Sequence, residues 1–206
     1  MITANSLPTL VGARVLLRGL TEEDVPSLFE IFSNPEVMRY WSRPPFTAKA
    51  DAVAYLEEAL RGFESKTLFQ WGLARRGDNS LLGTCTLWHL DPQNRRAEIG
   101  FVLGREHWGH GFMTEGLIAL IDFSFAELGL RRLEADVDPE NAPSIALLER
   151  LGFEYEGFMR ERWLVAGEVY DSLFYGLLER EWRDTQGQPK TRYRMRDTQS
   201  SQRRSE

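Results

Sequence analysis

The stretch Trp108-Gly109-His110-Gly111-Phe112-Met113-Thr114-Glu115-Gly116 carries the strongest chemical signal in the chain. It follows an apolar run, Ile99 to Leu103, that reads as a strand, and it leads into an amphipathic run, Leu117 to Leu128, that reads as a helix. The first N–H groups of a helix have no partner inside it, and the aligned peptide dipoles add partial positive charge there. A glycine-punctuated turn between a strand and a helix is therefore an anion site. Gly109 and Gly111 bring no side chain that would keep a phosphate away from the backbone. The chemistry these residues point to is that of a phosphate-bearing ligand.

Several readings of that turn compete. A nucleoside-triphosphate loop places Gly-Lys-Ser/Thr at the helix start, and no lysine stands near. A dinucleotide loop asks for Gly-x-Gly-x-x-Gly with an acidic residue about 20 positions on. Thr114 occupies the place of the third glycine, while Glu134 and Asp136 stand close to the acidic position. Binding of NAD stays open on these residues, as does a plain glycine turn into a buried helix.

The next segments add to this. Leu133 to Val137 reads as a short strand, followed by Asn141-Ala142-Pro143-Ser144-Ile145-Ala146-Leu147-Leu148-Glu149-Arg150-Leu151-Gly152-Phe153. With these residues the chain resembles the Gcn5-related N-acetyltransferase (GNAT) superfamily, in its RimJ/RimL-type branch of ribosomal-protein N-terminal acetyltransferases. That branch carries Trp-Gly-x-Gly, a small residue, Thr and Glu, then Asn-x-x-Ser and Leu-Gly-Phe. The matching positions are Trp108, Gly109, Gly111, Thr114, Glu115, Asn141, Ser144, Leu151, Gly152 and Phe153. Ala97-Glu98-Ile99-Gly100-Phe101 and the opening Leu16 to Asp24 fit as well, so the likeness spans residues 12 to 182.

The elements that must position these residues follow from local pattern. Val15 to Leu20 reads as a strand. Thr21-Glu22-Glu23-Asp24 starts a helix, with a capping hydroxyl and acidic residues in the first turn, and that helix ends near Asn34-Pro35. Thr47 is the expected cap of a second helix with Val53, Tyr55, Leu56 and Leu60 on its apolar side. The aromatic, basic loop Val37 to Phe46 lies between them. It either packs under the helices or walls an acceptor site. Strands follow at Leu68 to Arg75, Leu81 to Leu90 and Arg96 to Leu103. Beyond the Gly109 helix, the Leu133 strand and the Asn141 helix come strands Glu154 to Leu164 and Val169 to Leu178, joined at Ala166-Gly167. A meander feeding strand–helix–strand units predicts an α/β (α+β) domain with a mixed sheet. The resemblance implies the acyl-CoA N-acyltransferase fold, a central, mostly antiparallel sheet with helices on both faces.

Composition sets limits on the function. The chain has 206 residues, 42% apolar and 27% charged, which suits one globular domain, expected over 1–183. No apolar stretch reaches the about 18 residues of a membrane span, and Met1 to Thr9 lacks the basic start and apolar centre of a signal peptide. Cys85 is the only cysteine, so no intramolecular disulfide forms and a cytoplasmic location is expected. Three histidines and one cysteine give no metal-ligand spacing, so no metal is expected. Residues 184–206 carry six basic and three acidic residues, which leaves the body at −9 against a tail at +3. That tail is polar and is expected to be flexible. A solvated terminus is the simpler reading, and a nucleic-acid or ribosome-contacting arm the sharper one.

The resemblance implies acetyl-coenzyme A as cosubstrate, with direct transfer to an amine. The N–H groups of Gly109, His110, Gly111, Phe112, Met113 and Thr114 would hold the pyrophosphate. The edge of Phe101-Val102-Leu103, where the family's strands splay, would pair with the amides of the pantetheine arm. Asn141 would bond the same arm. A primary α-amine has a pKa of about 8 and must lose a proton before it attacks. Glu98 is the first candidate base, against a structural role in a salt bridge to Arg95 or Arg96. His89 is the second, because an imidazole titrates near neutrality. The leaving thiolate, with a pKa of about 8.5, gains from a hydrogen bond. Many superfamily members use a tyrosine in the helix after Asn141, but here that stretch reads Leu147-Leu148. Ser144 is the branch's serine and the candidate partner for the sulfur, as well as a cofactor contact. A non-catalytic acyl-coenzyme A-binding module is the rival from another class. The acceptor is expected to be a protein N-terminal α-amine, or else a small-molecule amine, and the oligomeric state is left as monomer or homodimer.

Overall fold

The computed structural model describes residues 6–185. Eight strands form one sheet: β1 (Leu10–Val11), β2 (Val15–Gly19), β3 (Leu68–Arg75), β4 (Leu81–Asp91), β5 (Arg96–Leu103), β6 (Arg132–Val137), β7 (Glu154–Val165) and β8 (Glu168–Leu178). Their spatial order is β1-β2-β3-β4-β5-β6-β8-β7. Every neighbouring pair is antiparallel except β5 and β6, which run parallel. Among the described residues the α-helices are α1 (Val25–Ser33), α2 (Pro35–Met38), α3 (Lys49–Ser65), α4 (Phe112–Ala126), α5 (Ala142–Arg150) and α6 (Glu179–Thr185). The mixed sheet with helices on both faces is the expected acyltransferase architecture.

Strand alternation divides the sheet's side chains between two cores. Val15, Leu17, Trp71, Leu73, Cys85, Leu87, Ala97, Ile99, Leu133 and Leu177 pack with α4 and α5 on one face. Leu20, Leu81 and Val102 pack with α1, α2 and α3 on the other. In α4, Leu117, Leu120 and Ile121 are fully buried, each contributing about 1.5–3 kcal/mol of transfer free energy.

Several local expectations shift. Helix α4 begins at Phe112 rather than Leu117, so Phe112 to Gly116 form its own first turns. It is buried over much of its circumference, Met113, Gly116, Ser124 and Phe125 included, and is less amphipathic than the pattern suggested. Helix α3 is capped from inside. The Asp51 carboxylate reaches back to the N–H groups of Thr47 (2.8 Å) and Ala48 (3.0 Å), and the N-cap position is Ala48, not Thr47. Its buried side is Ala52, Tyr55, Leu56, Ala59 and Gly62, whereas Val53 and Leu60 are exposed. Asp24 is more than a first-turn acid. It is buried and takes a bidentate ion pair from Arg18, with both contacts at 2.7 Å, which ties β2 to the start of α1. The short helix α2 appears where a loop was expected, with Asn34 Oδ1 accepting the Glu36 N–H (2.9 Å) and Pro35 at the first position. Helix α6 crosses the expected boundary at residue 183. Of the expected tail, residues 186–206 lie outside the described residues. Among the described residues no helix is long and apolar enough to cross a membrane.

Parallel β5 and β6 flank the α4 crossover, and their pairing is short. The partners are Arg96 with Arg132, Ala97 with Leu133 and Glu98 with Glu134. Beyond Glu98, β5 continues to Leu103 and stays paired with β4, but it has left β6. Gly83 on β4 helps to hold that segment. A Cβ at this position would overlap the Val102 carbonyl oxygen and stand 3.0 Å from Leu103 Cα. Backbone cannot move aside as a flexible side chain does. Gly83→Ala is therefore expected to lower unfolding free energy in urea by about 1–3 kcal/mol. Gly19→Ala, where nothing lies within 4 Å, serves as the neutral control.

Candidate active site

The glycine turn has the conformation an anion site needs. Gly109 and Gly111 have φ values of +77° and +79°, a region that L side chains enter only at a cost. Gly111 is the N-cap of α4, and the first intrahelical bond runs from the Glu115 N–H to the Gly111 carbonyl (3.2 Å). The N–H groups of Phe112, Met113 and Thr114 thus have no carbonyl one turn back. Arg14 stands beside them, donating to the His110 carbonyl (3.1 Å), and the guanidinium groups of Arg14 and Arg75 lie 5.0 and 5.7 Å from the Phe112 ring centroid. Positive charge is thereby added to a helix start that already favours anions.

Other residues of the motif are structural. The Trp108 indole donates to the Leu103 carbonyl (2.7 Å), which pins the turn to the end of β5. Glu115 bonds the backbone N–H groups of Arg14 and Val15 and the Arg14 guanidinium, which anchors α4 to the start of β2. Burial pushes its carboxyl up, but those donors outweigh burial and hold it below the usual range. Arg105 lies over Trp108 and pairs with Glu36 (2.6 Å), while Glu106 pairs with His107 (3.2 Å).

Across the sheet, register builds a cleft. Cα partners point their side chains to the same face. Leu68 and Gln70 on β3 face Trp88 and Thr86 on β4, and these in turn face Glu98 and Gly100 on β5. Asp136 on β6 and Ser172 on β8 continue that face. All eight line a cleft of about 490 Å³. Its walls are residues 38–45, from the loop with two candidate roles, and residues of the β7–β8 hairpin from Trp163 to Tyr170; the same loop also packs under the helices through Met38 and Phe46. The hairpin turns at Ala166-Gly167 with φ of +52° and +92°, the left-handed pair that a tight two-residue turn requires. Within the floor, Gln70 donates to the Tyr55 hydroxyl, which lies 3.4 Å from Thr84 Oγ1. Burial pushes the Tyr55 phenol up to about 12, so it stays protonated.

Glu98 is a buried carboxylate of this cleft. Neither Arg95 nor Arg96 is its partner: Arg96 goes to Glu134 (2.7 Å) and Asp91 (3.4 Å). Instead Glu98 Oε2 lies 3.1 Å from His89 Nδ1, so the structure joins the two candidate bases in one pair. A β-bulge makes this possible. Between the pairs Trp88–Glu98 and Asp91–Arg96, β4 carries one residue more than β5. At His89 the backbone turns to φ +47°, which re-aims the imidazole towards Glu98. The ring stacks on Trp88 at 4.1 Å and stays half exposed. Burial pushes the Glu98 carboxyl above its ordinary range, and the charge of Asp136 adds to that. The His89 hydrogen bond and the Arg162 charge act the other way without cancelling it. Asp136 accepts from the Trp163 indole (3.2 Å) and from Arg162 (3.4 Å).

Asn141 and Ser144 stand elsewhere. They open α5, which is reached from β6 through Asp138 to Glu140, and they do not line the cleft. Asn141 Oδ1 accepts the Ser144 N–H (3.2 Å) as a helix cap. The cap uses the Ser144 amide and not its hydroxyl. Phe101 and Leu103 are half-buried and Val102 is buried, on the part of β5 that has left β6. Trp163 and Ser172 carry no signal in the sequence, and Asp136 stands out there only as a candidate acidic residue of a dinucleotide loop, not as part of an acceptor cleft. They come from three strands that meet only through the β6–β8–β7 pairing, and no local motif joins them.

Two substitutions test this geometry. Gly111→Glu places a carboxylate at a strained left-handed position against the helix start, with Arg14 Nη2 3.4 Å from the new Cβ. Calorimetry should show coenzyme A affinity weakened tenfold or more. His89→Ala removes a group that stabilises the charged form of Glu98. The acidic limb of a pH–rate profile that depends on ionised Glu98 should therefore move to higher pH.

Residues 14–154 match the acetyltransferase (GNAT) domain family. The uncharacterized N-acetyltransferase p20 of Bacillus licheniformis is 37% identical over 180 residues, covering 85% of this chain and 99% of that protein. Two solved structures share the fold. The spermidine N-acetyltransferase of Vibrio cholerae, in complex with coenzyme A and spermine, has a TM-score of 0.73 and 24% identity over 82% of this chain and 98% of its own. RimL, a ribosomal-protein α-N-acetyltransferase in complex with coenzyme A, has a TM-score of 0.74 and 21% identity over 83% and 98%. The parted parallel strands, the glycine-capped helix and the family match lead to one conclusion: this chain belongs to the GNAT family of N-acetyltransferases and carries the motifs of its RimJ/RimL-type branch.

Proposed function

We propose that the chain transfers the acetyl group of acetyl-coenzyme A to a primary amine, and that its acceptor is the α-amine of a peptide or protein N-terminus. The observation that carries this reading is the parting of β5 from β6 immediately beyond Glu98. It leaves a strand edge free for the pantetheine arm on one side of a buried carboxylate and an open cleft on the other. The free N–H groups of Phe112, Met113 and Thr114 suit the pyrophosphate, with Gly109, His110 and Gly111 supplying the turn. The cleft, at about 490 Å³, has room for more than a simple amine. Its lining holds Glu58, Glu98, Asp136, Asp138, Glu168 and Asp171 against Arg39 and Arg43, a balance that favours a cationic acceptor.

Bound acetyl-coenzyme A supplies an activated acyl carbon. Glu98 takes the proton that the ammonium form of the acceptor must lose, and its raised pKa makes it a better proton acceptor. His89 holds Glu98 in position and faces solvent, where the proton can leave. As the new N–C bond forms and the C–S bond breaks, the nitrogen gives up its second proton to the departing sulfur, which leaves as the thiol of coenzyme A, and the Ser144 hydroxyl donates a hydrogen bond to that sulfur. Asn141 has its side-chain NH2 left for the amides of the arm, because its carbonyl oxygen is taken by the cap.

Thermal-shift titration checks the binding half of this reading. Ligands that bind the native state raise the melting temperature by mass action. Acetyl-coenzyme A and coenzyme A should both do so and NAD should not. A thiol-release assay with peptide amides and with spermidine then separates an N-terminal acceptor from a polyamine, which the acidic lining also suits. Binding of coenzyme A with no transfer to any amine would instead mark a non-catalytic module. Glu98→Gln should lower turnover at neutral pH more than at high pH, where the amine is already free. An equal loss at both would remove Glu98 as the base.

A further inference from the structure

Among the described residues one buried side-chain polar atom has no hydrogen-bond partner: Ser172 Oγ. Ser172 is 1% exposed. The other buried polar side chains near this floor are paired, Thr84 and Gln70 with Tyr55 and Glu98 with His89. A buried hydroxyl that bonds nothing costs stability, and an apolar residue of the same size would serve the core better. Ser172 also lies at a particular place. It stands two residues before Phe174, the Cα partner of Asp136, so strand alternation puts it on the face that carries Asp136. It lines the same cleft as Glu98.

We propose that Ser172 is a specificity-determining residue for the acceptor, its hydroxyl accepting a hydrogen bond from a second N–H group next to the reacting amine. This rests on the acetyl-transfer reading of the cleft. A hydroxyl can donate or accept, and the neighbouring carboxylates decide between them. Asp136, Asp138, Glu168 and Asp171 share the cleft, and they favour a partner that brings positive charge or an N–H. The shared chemistry is a primary amine with a nitrogen donor close by. A peptide N-terminus offers it through its next backbone N–H, and a short diamine through its second ammonium. Simple alkyl monoamines lack it.

The test is steady-state kinetics by thiol release with a dipeptide amide, 1,3-diaminopropane and n-butylamine, for wild type, Ser172→Ala and the near-isosteric Ser172→Cys. Both variants should raise KM about tenfold for the acceptor that uses the hydroxyl, with kcat nearly unchanged. KM for n-butylamine and for acetyl-coenzyme A should hold. A rise confined to the dipeptide identifies the peptide source, and a rise confined to the diamine identifies the diamine. The melting temperature of Ser172→Ala should hold or increase, because no internal hydrogen bond is lost. Unchanged KM for all three acceptors overturns the proposal, as does a fall in melting temperature with KM raised equally for all. If wild type acetylates none of them, the functional reading fails separately. Calorimetric titration of the acceptors onto the coenzyme A-bound proteins then still reads whether Ser172 contributes to their affinity.

Discussion

The rest of the structure turns on the early end of the β5–β6 ladder. Buried backbone N–H and C=O groups must find partners, and a strand in the middle of a sheet normally finds them on both sides. From Gly100 to Leu103, β5 has only β4 as a strand neighbour, and beyond it the Trp108 indole donates to the Leu103 carbonyl. A parallel pair needs a long crossover between its strands. Here that crossover contains the glycine turn and α4, so the same segment that separates the strands in sequence brings a helix start to the place where they part. An exposed strand edge and an anion-binding helix terminus next to each other suit a ligand that has phosphates at one end and amides along its length.

The price of the site is a carboxylate in the protein interior. Burial disfavours the charged form of Glu98, and the protein does not neutralise it with an arginine, although several are close. Arg96 and Arg132 are held by Glu134, and Arg132 also by Glu156. Arg162 is held by Asp136. Glu98 keeps only the imidazole of His89, brought to it by a bulge. A guanidinium would hold the carboxylate ionised and lower its affinity for a proton, whereas the half-exposed imidazole orients it and leaves its carboxyl raised and able to accept one. This is a physical reason for a histidine to stand here, on a strained backbone.

Both local pattern and resemblance made much of the fold legible. The long strands, the order of elements and the two glycines of the turn follow from alternation and from the needs of a helix start. What pattern missed has common causes. Thr47 has a capping hydroxyl, but the Asp51 carboxylate caps α3 more strongly. The start of α4 lies earlier than pattern predicts because Phe112 to Gly116 look like turn residues, and packing against β2 and β3 draws them into the helix. Val53 and Leu60 are apolar but exposed, because the buried stripe Ala52, Tyr55, Leu56, Ala59 and Gly62 follows helical spacing and leaves them on another side of α3.

The sequence by itself determined the anion turn and a carboxylate at position 98 on the strand before it, since both depend on residues near in the chain. The tertiary structure alone decided what surrounds that carboxylate. His89 comes from a bulge in β4, Asp136 from β6, Trp163 from β7 and Ser172 from β8, and they meet only because strand register carries a shared face across the sheet. Register is a property of paired strands, so no reading of one segment at a time could have assembled the cleft.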